Sequence, residues 1–114
     1  MSTSVDSACI RGIHSPFTIL TPDTFDAWHS ELRDRHARVL ITKRLKRAEL
    51  GNLGDTKSVG GGVSEMRLEY GPGYRLYFTR RGLEIIVLLC GGDKSTQSQD
   101  IKAAQAIAAQ LEGL

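Results

Sequence analysis

The sequence lacks long apolar runs and has little cysteine. Its longest apolar run, residues 85–90, is the length of a β-strand and far shorter than the roughly 20 residues that a membrane helix requires. The first residues, interrupted by Asp6 and Arg11, lack the basic start and apolar middle of a secretory signal. Of the two cysteines, Cys9 and Cys90, the second ends the apolar run, where a buried free thiol is expected. We therefore expect a cytoplasmic protein without disulfides.

The sequence also lacks the constellations of common hydrolases. His14, His29 and His36 have no cysteine or carboxylate at metal-site spacing, so we expect no metal ion and no cofactor. None of the three has an evident serine or cysteine partner for nucleophilic catalysis. The triplet at 60–62 is no phosphate loop, because no lysine and serine follow it.

Charge is unevenly distributed along the chain. Residues 33–81 contain twelve basic and five acidic side chains, whereas the two ends contain three basic and eight acidic ones. A cationic middle with acidic ends suits a protein that binds a polyanion on one face. A solvated basic helix without a partner is the alternative.

The length of 114 residues fits one domain with a modest core. Residues 1–14 are rich in serine and threonine without periodicity, and we expect them to form a flexible tail. The domain would then span residues 15–114.

The domain begins with a predicted edge strand at 17–20 and a first helix. Thr21 is expected to cap this helix, with Pro22 at the first helical position and Asp23 near the positive end of the dipole. Trp28 lies on the apolar stripe of the helix and is expected in the core.

A second helix is predicted from Asp34 to about Leu50, followed by Gly51 and Asn52, which end it. Its apolar residues recur at helical spacing, and most of its arginines and lysines fall on the outward side. The inward residues are Ala37, Leu40, Ile41, Leu45 and Ala48.

The second half predicts a loop, three antiparallel strands and a helix. Residues 53–62 are punctuated by glycines and predict a loop, and Pro72-Gly73 predicts a type II turn between the first two strands. The strands are expected at 63–69, 74–79 and 84–90. A last helix should begin at Ser95 or Thr96, with Gln99 at capping-box spacing. Its inward residues would be Ile101, Ala104, Ala108 and Leu111.

Three motifs carry a family resemblance: Gly51-Asn52-Leu53-Gly54-Asp55, the run from Gly71 to Phe78, and Gly91-Gly92-Asp93-Lys94-Ser95-Thr96-Gln97. Together they resemble the RelE/ParE superfamily of small bacterial toxins, in the phage Gp49-like or HigB-like branch of addiction module killer proteins. The resemblance implies an α/β (α+β) fold of order β-α-α-β-β-β-α. A two-helix hairpin and a C-terminal helix would pack on a mainly antiparallel sheet of four strands.

The resemblance also implies a function. Such a protein would be the toxin of a type II toxin-antitoxin pair that cuts messenger RNA on the ribosome, with a helix-turn-helix antitoxin encoded nearby. The alternatives are a non-catalytic inhibitor of DNA gyrase, as in the ParE branch, and a phage or host interaction module.

The site residues follow from strand alternation and the resemblance. If Met66, Leu68, Leu76 and Phe78 pack beneath the helices, then Arg67, Arg75 and Tyr77 emerge together on the opposite face. The resemblance implies that the two arginines stabilise phosphate and that the tyrosine stacks or handles a proton. It implies that Lys57 and Lys94 bind the anion or act as base. The expected catalytic residues are Arg67, Arg75, Tyr77 and Lys94, and the expected RNA-binding residues are Lys57, Arg44, Arg47 and Lys43. Cross-strand ion pairs of the two arginines with Glu65 or Glu69 are the alternative.

Overall fold

The computed structural model describes residues 17–112, and the predicted tail at 1–14 lies outside this range. The fold mixes helices and strands, as predicted. In chain order the elements are β1 (Thr18–Leu20), α1 (Asp23–Glu31), α2 (Arg35–Glu49), β2 (Thr56–Gly60), β3 (Val63–Arg67), β4 (Arg75–Arg81), β5 (Ile85–Gly92), a 3₁₀ turn (Lys94–Thr96) and α3 (Gln97–Glu112). Within residues 17–112 no helix is long and apolar enough to cross a membrane.

The sheet has five strands in the order β1-β5-β4-β3-β2, so the predicted four-stranded sheet is wrong. β1 pairs in parallel with β5, and the other neighbours are antiparallel. The extra strand, β2, occupies part of the segment predicted to be a loop. Gly60, Gly61 and Gly62 all have positive φ, so they turn the chain sharply between β2 and β3. The strand itself is mostly polar and carries Lys57, which suits an exposed sheet edge.

The turn between β3 and β4 is centred one residue earlier than predicted. The N–H of Gly73 donates to the carbonyl of Tyr70 (3.1 Å), which makes Gly71 and Pro72 the central residues. The Leu68 N–H then donates to the Tyr74 carbonyl (3.0 Å). This bond extends the pairing one residue beyond β3 and β4 and holds the neighbouring Arg67 and Arg75 in register.

Helices cover both faces of the sheet. The core between the sheet and α1 and α2 includes Phe25, Ile41, Met66, Leu76 and Leu88. The predicted inward side chains of α2 are all buried or partly buried in this core. A second core lies on the opposite face beneath α3, and its members are Val63, Tyr77, Val87, Leu89, Cys90, Ala104 and Ala108. The face that we expected to be open is therefore covered by α3 over much of its area.

The predicted core position of Trp28 and the predicted burial of Cys90 are confirmed. Trp28 packs against the first core with its ring 5.7 Å from that of Phe25 and 6.3 Å from that of Tyr74. Tyr74 is itself buried in this core. Cys90 is a buried free thiol, and burial raises its pKa to about 11.

The helix starts differ from the predicted caps. Pro22, and not Thr21, occupies the cap position of α1, and no side chain caps this end. Asp34 caps α2 by accepting from the backbone N–H groups of His36 and Ala37. Asp93 caps the 3₁₀ turn before α3 by accepting from the backbone N–H of Ser95 (2.8 Å). The predicted capping box of Thr96 with Gln99 does not form among the described residues, because the Thr96 hydroxyl donates to the Asp100 carboxylate instead.

Candidate functional site

Arg67 and Arg75 are paired directly across β3 and β4. They share a pocket of about 220 Å³ with Asp55, Glu69 and Gly73. Because both side chains leave the same face of the sheet, two guanidinium groups converge at the end of these strands. We call Asp55, Glu65, Arg67, Arg75 and Gln97 the arginine cluster.

Glu65 lies at the centre of this cluster and is almost completely buried, with 1% of its side chain exposed. Its carboxylate accepts from Nη1 of Arg75 (3.1 Å) and from Nε2 of Gln97 at the start of α3 (3.1 Å). Nε of Arg67 lies 4.0 Å from the same carboxylate. A buried carboxylate with two hydrogen-bond donors fixes the position of the Arg75 guanidinium.

Arg67 is more exposed than Arg75, with 38% against 13% of the side chain accessible. Its Nη2 donates to Oδ1 of Asp55 (2.9 Å), and this bond holds the pKa of the Asp55 carboxyl below its usual value. The same bond raises the pKa of Arg67. The expected alternative of ion pairs is thus present for both arginines, although Arg67 pairs mainly with Asp55 rather than with a cross-strand glutamate.

The two arginines retain donors that the protein does not use. Their Nε atoms are buried without a hydrogen-bond partner among residues 17–112. Within the same range each guanidinium engages a carboxylate through only one of its terminal nitrogens. A guanidinium has five N–H donors in a planar fork, so the terminal nitrogens that engage no carboxylate within this range could bind an anionic ligand at the cluster.

Arg44 does not face outward, so its predicted part in RNA binding is wrong. Its guanidinium donates to the backbone carbonyls of Arg67 (2.7 Å), Leu53 (3.2 Å) and Asp55 (3.1 Å). Burial lowers the pKa of this guanidinium. Arg44 therefore fixes the loop that presents Asp55 to Arg67, and it has a structural role beside the cluster.

The structure also corrects the predicted role of Tyr77. Its side chain is fully buried beneath α3, so it cannot stack on a base, and its hydroxyl finds no partner among residues 17–112. Burial raises the pKa of this hydroxyl well above its usual range, which makes proton transfer at neutral pH unfavourable. Alternation placed Tyr77 on the same face as the arginines, but α3 covers that part of the face.

The predicted lysines border the cluster. Lys57 is exposed on β2 and pairs in register with Glu65 of β3. Lys94 is exposed in the 3₁₀ turn, and a Cβ added to Gly73 would lie 3.5 Å from the Lys94 Cβ. Lys57 thus lies opposite a member of the arginine cluster, and Lys94 lies near Gly73 of the pocket that the two arginines line.

The remaining predicted RNA-binding residues lie on α2. Lys43 lines a groove between α1 and α2, on the helical side of the sheet, and Arg47 is exposed in the last turn of α2. Neither residue contacts the arginine cluster through a hydrogen bond or ion pair within residues 17–112.

Two residues of the cluster had no predicted role. Asp55 and Gln97 belong to the glycine-containing motifs, but sequence reasoning did not connect them with the arginines. The alternation of β3 placed Glu65 on the arginine face, yet its burial depends on α3. Only the tertiary position of the α3 start shows that Gln97 closes over Glu65.

Comparison with known proteins adds one relative. No protein-family model matches the chain. An uncharacterized protein of Haemophilus influenzae is 47% identical over 93 residues, which cover 82% of this chain and 94% of the relative. The aligned length includes most of the described domain. Because the identity is high and nearly all of the relative is covered, the chain belongs to the same family as this Haemophilus influenzae protein.

Proposed function

We propose that this protein is a RelE/ParE-like toxin of a type II toxin-antitoxin pair and a metal-independent endoribonuclease that cuts messenger RNA on the ribosome. The observation that carries the proposal is that Arg67 and Arg75 line one pocket. Among residues 17–112 each engages a carboxylate through only one terminal nitrogen. Lys57 lies opposite Glu65 in the sheet, and Lys94 lies near Gly73 of the pocket. Such a set of cations suits an RNA phosphate. The proposal places the protein in the cytoplasm, where translation occurs.

The arginines would act on the charge that develops during cleavage. The 2′-oxygen loses its proton and bonds to the adjacent phosphorus, the bond from phosphorus to the 5′-oxygen breaks, and the leaving 5′-oxygen takes up a proton. Negative charge accumulates on the phosphoryl oxygens during this exchange, and fixed N–H donors stabilise it. Arg75 is held by Glu65 and therefore offers a preorganised donor. Arg67 is bound to the exposed Asp55, and a phosphate would compete with this carboxylate for the guanidinium.

Lys57 and Lys94 are the candidates for the remaining roles. Both are exposed at the border of the cluster, where they could hold the RNA backbone. In this proposal one of the two lysines accepts the 2′-hydroxyl proton as general base. Tyr77 is not part of this proposal because its hydroxyl is enclosed.

Growth arrest on expression tests the site. We expect Arg67→Ala to abolish arrest and Arg67→Lys to restore it only in part, because lysine keeps the charge but loses the planar fork. Arg81→Ala, on the exposed end of β4, is the matched control and should remain toxic. A fully toxic Arg67→Ala protein would remove this residue from the site.

Arg75 needs a different substitution. Its alanine variant leaves the buried Glu65 without its main cation, so loss of toxicity could reflect loss of folding. Arg75→Lys keeps a cation near Glu65 and should reduce cleavage while the melting transition remains cooperative. Primer extension on messenger RNA from expressing cells provides the readout, with codon-phased cuts as the expected result.

Inhibition of DNA gyrase without catalysis is the second candidate. The ion pairs of both arginines and the enclosure of Tyr77 favour this candidate, because a protein that inhibits by binding alone needs no general base. DNA damage in expressing cells with intact messenger RNA would support this candidate and contradict the nuclease.

The proposal includes an antitoxin of the helix-turn-helix class encoded nearby. Co-expression with the neighbouring gene should relieve growth arrest and give a stable complex. If neither result is obtained, the pairing is wrong, even if the isolated protein cuts RNA.

A further inference from the structure

The outer surface of the helical hairpin contains a groove of about 640 Å³ between α1 and α2. Most of its wall is one stripe of α2, formed by Arg35, Arg38, Val39, Thr42, Lys43 and Lys46. Positions 35, 39, 42 and 46 recur on one side of the helix at helical spacing, so the stripe is about 16 Å long. A groove of this length can accept about three turns of a partner helix.

In the described part of the chain, the groove is lined by basic side chains without neighbouring carboxylates in its wall. Among residues 17–112 no carboxylate lines it, although Asp26 and Glu49 line a neighbouring pocket. The segment 35–48 of α2 contains no acidic residue, and Lys43 lies three and four residues before Lys46 and Arg47. Like charges at these spacings oppose helix formation. A partner that supplies carboxylates would remove this repulsion.

The groove is also apolar between its charges. Val39 is 49% exposed, and the methylene stems of arginine and lysine add hydrocarbon surface beside it. Nε2 of His29 in α1 lies 3.0 Å from the Arg38 carbonyl, and Arg38 Nη1 donates to the Leu32 carbonyl at the helix connection (2.7 Å). These bonds tie the two helices together, so the groove is formed before any partner arrives.

We propose that this groove docks an acidic amphipathic helix of a protein partner. The apolar side of the partner helix would cover Val39, and carboxylates on its flanks would engage Arg35 and Lys43. An exposed valine between the cations favours a peptide over nucleic acid, because a phosphate backbone offers no apolar surface to cover it. The inference stands apart from the nuclease proposal, since the groove contains no residue of the arginine cluster.

A labelled synthetic peptide tests the proposal. The probe is a helical peptide of about 20 residues with leucines on one side and glutamates on both flanks. Its controls are a scrambled peptide of the same composition and a single-stranded RNA of similar charge. Fluorescence anisotropy with the full-length protein measures binding of each probe.

Two double variants are matched in charge. Arg35→Glu with Lys43→Glu leaves Arg38 and Lys46 as the basic residues of the groove and so neutralises its charge. Arg81→Glu with Lys102→Glu makes the same change in charge at exposed positions elsewhere. The groove variant should fold, because an acidic residue in the first turn and another four residues before Arg47 both favour α2. We expect it to weaken peptide binding about tenfold or more, and the control pair to stay within about twofold.

Val39→Asp should weaken binding as well, since it places charge on the apolar part of the groove. Equal binding of the scrambled peptide would show that charge alone is recognised and would overturn the proposal. Tighter binding of the RNA, lost in the groove variant, would overturn it in favour of a nucleic-acid surface. Equal weakening by both double variants, or no binding of the amphipathic peptide, would also contradict it.

Discussion

The two faces of the sheet differ in what the covering helices enclose. Beneath α1 and α2 the fully buried side chains are apolar, as with Phe25, Met66 and Leu88. Beneath α3 the core is apolar at its centre, but near the α3 start it changes to Glu65 and the Tyr77 hydroxyl. The comparison shows that the same strand alternation can produce a uniform core on one face and a polar cluster on the other.

Side-chain size in the covering helix accounts for part of this difference. α3 packs Ala104 and Ala108 against the sheet, and small side chains permit close approach. At its first turn, however, Gln97 reaches back to the Glu65 carboxylate. The face beneath α3 therefore combines packing with the fixation of a charged group, whereas the other face serves packing alone.

The largest effect should come from removing the buried charge. Glu65→Ala leaves Arg75 mostly enclosed without its carboxylate, and breaking such a pair from one side costs about 3–5 kcal/mol. Urea denaturation of the purified protein measures the free energy of unfolding. A loss below about 1 kcal/mol would mean that the pair behaves as a surface ion pair.

Two companions of this variant sharpen the comparison. Glu69→Ala removes a neighbouring exposed carboxylate and should change stability little. Glu65→Met combined with Arg75→Met replaces both charges by apolar side chains and should lose less stability than Glu65→Ala alone, since no charge is left unpaired. A double variant less stable than the single one would contradict this account.

Adjacent glycines of β5 probe the two faces separately. An added Cβ at Gly91 would collide with the Trp28 ring on the hairpin side, and one at Gly92 would collide with the Asp100 carboxylate on the α3 side. The indole is packed in the core, whereas a carboxylate at the end of a side chain can move aside. We expect Gly91→Ala to cost about 1–3 kcal/mol and Gly92→Ala less, as measured by thermal unfolding. The reverse order would show that the polar side is the more rigid one.

Tyr77→Phe should stabilise the protein. The hydroxyl is buried without a partner among residues 17–112, and an unsatisfied buried polar group carries a desolvation cost. Its removal should raise the free energy of unfolding by about 1 kcal/mol and leave growth arrest unchanged. A loss of stability would indicate a hydrogen bond to a bound water, and a loss of toxicity would return Tyr77 to the site.

Strand alternation predicted which side chains share a face but not what covers that face. That Arg67 and Arg75 share a face followed from the period of two, and the core position of Trp28 followed from apolar spacing. The enclosure of Tyr77 did not follow, because the face on which α3 packs depends on its connection after β5. For the same reason the burial of Glu65 was outside the reach of local patterns.

The failure to predict β2 and the inward position of Arg44 has a different cause from the failure to predict the enclosure of Tyr77. β2 is polar and short, so its pattern resembles a loop, and it is held by pairing with β3 rather than by its own propensity. Helical spacing places Arg44 only approximately on the outward side of α2. Its long side chain reaches three backbone carbonyls. Such contacts arise between segments distant in sequence, where periodicity carries no information.

The smallest effect concerns acid stability and separates two aspartates. The Tyr70 hydroxyl and the Ala37 N–H lower the pKa of Asp34, whereas Arg67 lowers the pKa of Asp55. For each group the unfolded chain takes up its proton first as the pH falls below the usual value of 3.8. Each therefore contributes stability at higher pH that is lost as the pH falls through the lowered value of the folded state. Asp34→Asn and Asp55→Asn should each reduce the loss of unfolding free energy that accompanies acidification.

Salt distinguishes the two contributions. Asp55 is bound to the exposed cation of Arg67, so added salt should screen this interaction. The contribution of Asp55 to the acid-induced loss of stability should then become smaller. The principal partners of Asp34 are neutral donors, and its contribution should change less. Acid unfolding followed by circular dichroism at low and high salt, on the wild type and both asparagine variants, measures the difference. If salt affects both aspartates equally, the neutral bonds of the hairpin side and the ionic bond at the arginine cluster are not energetically distinct.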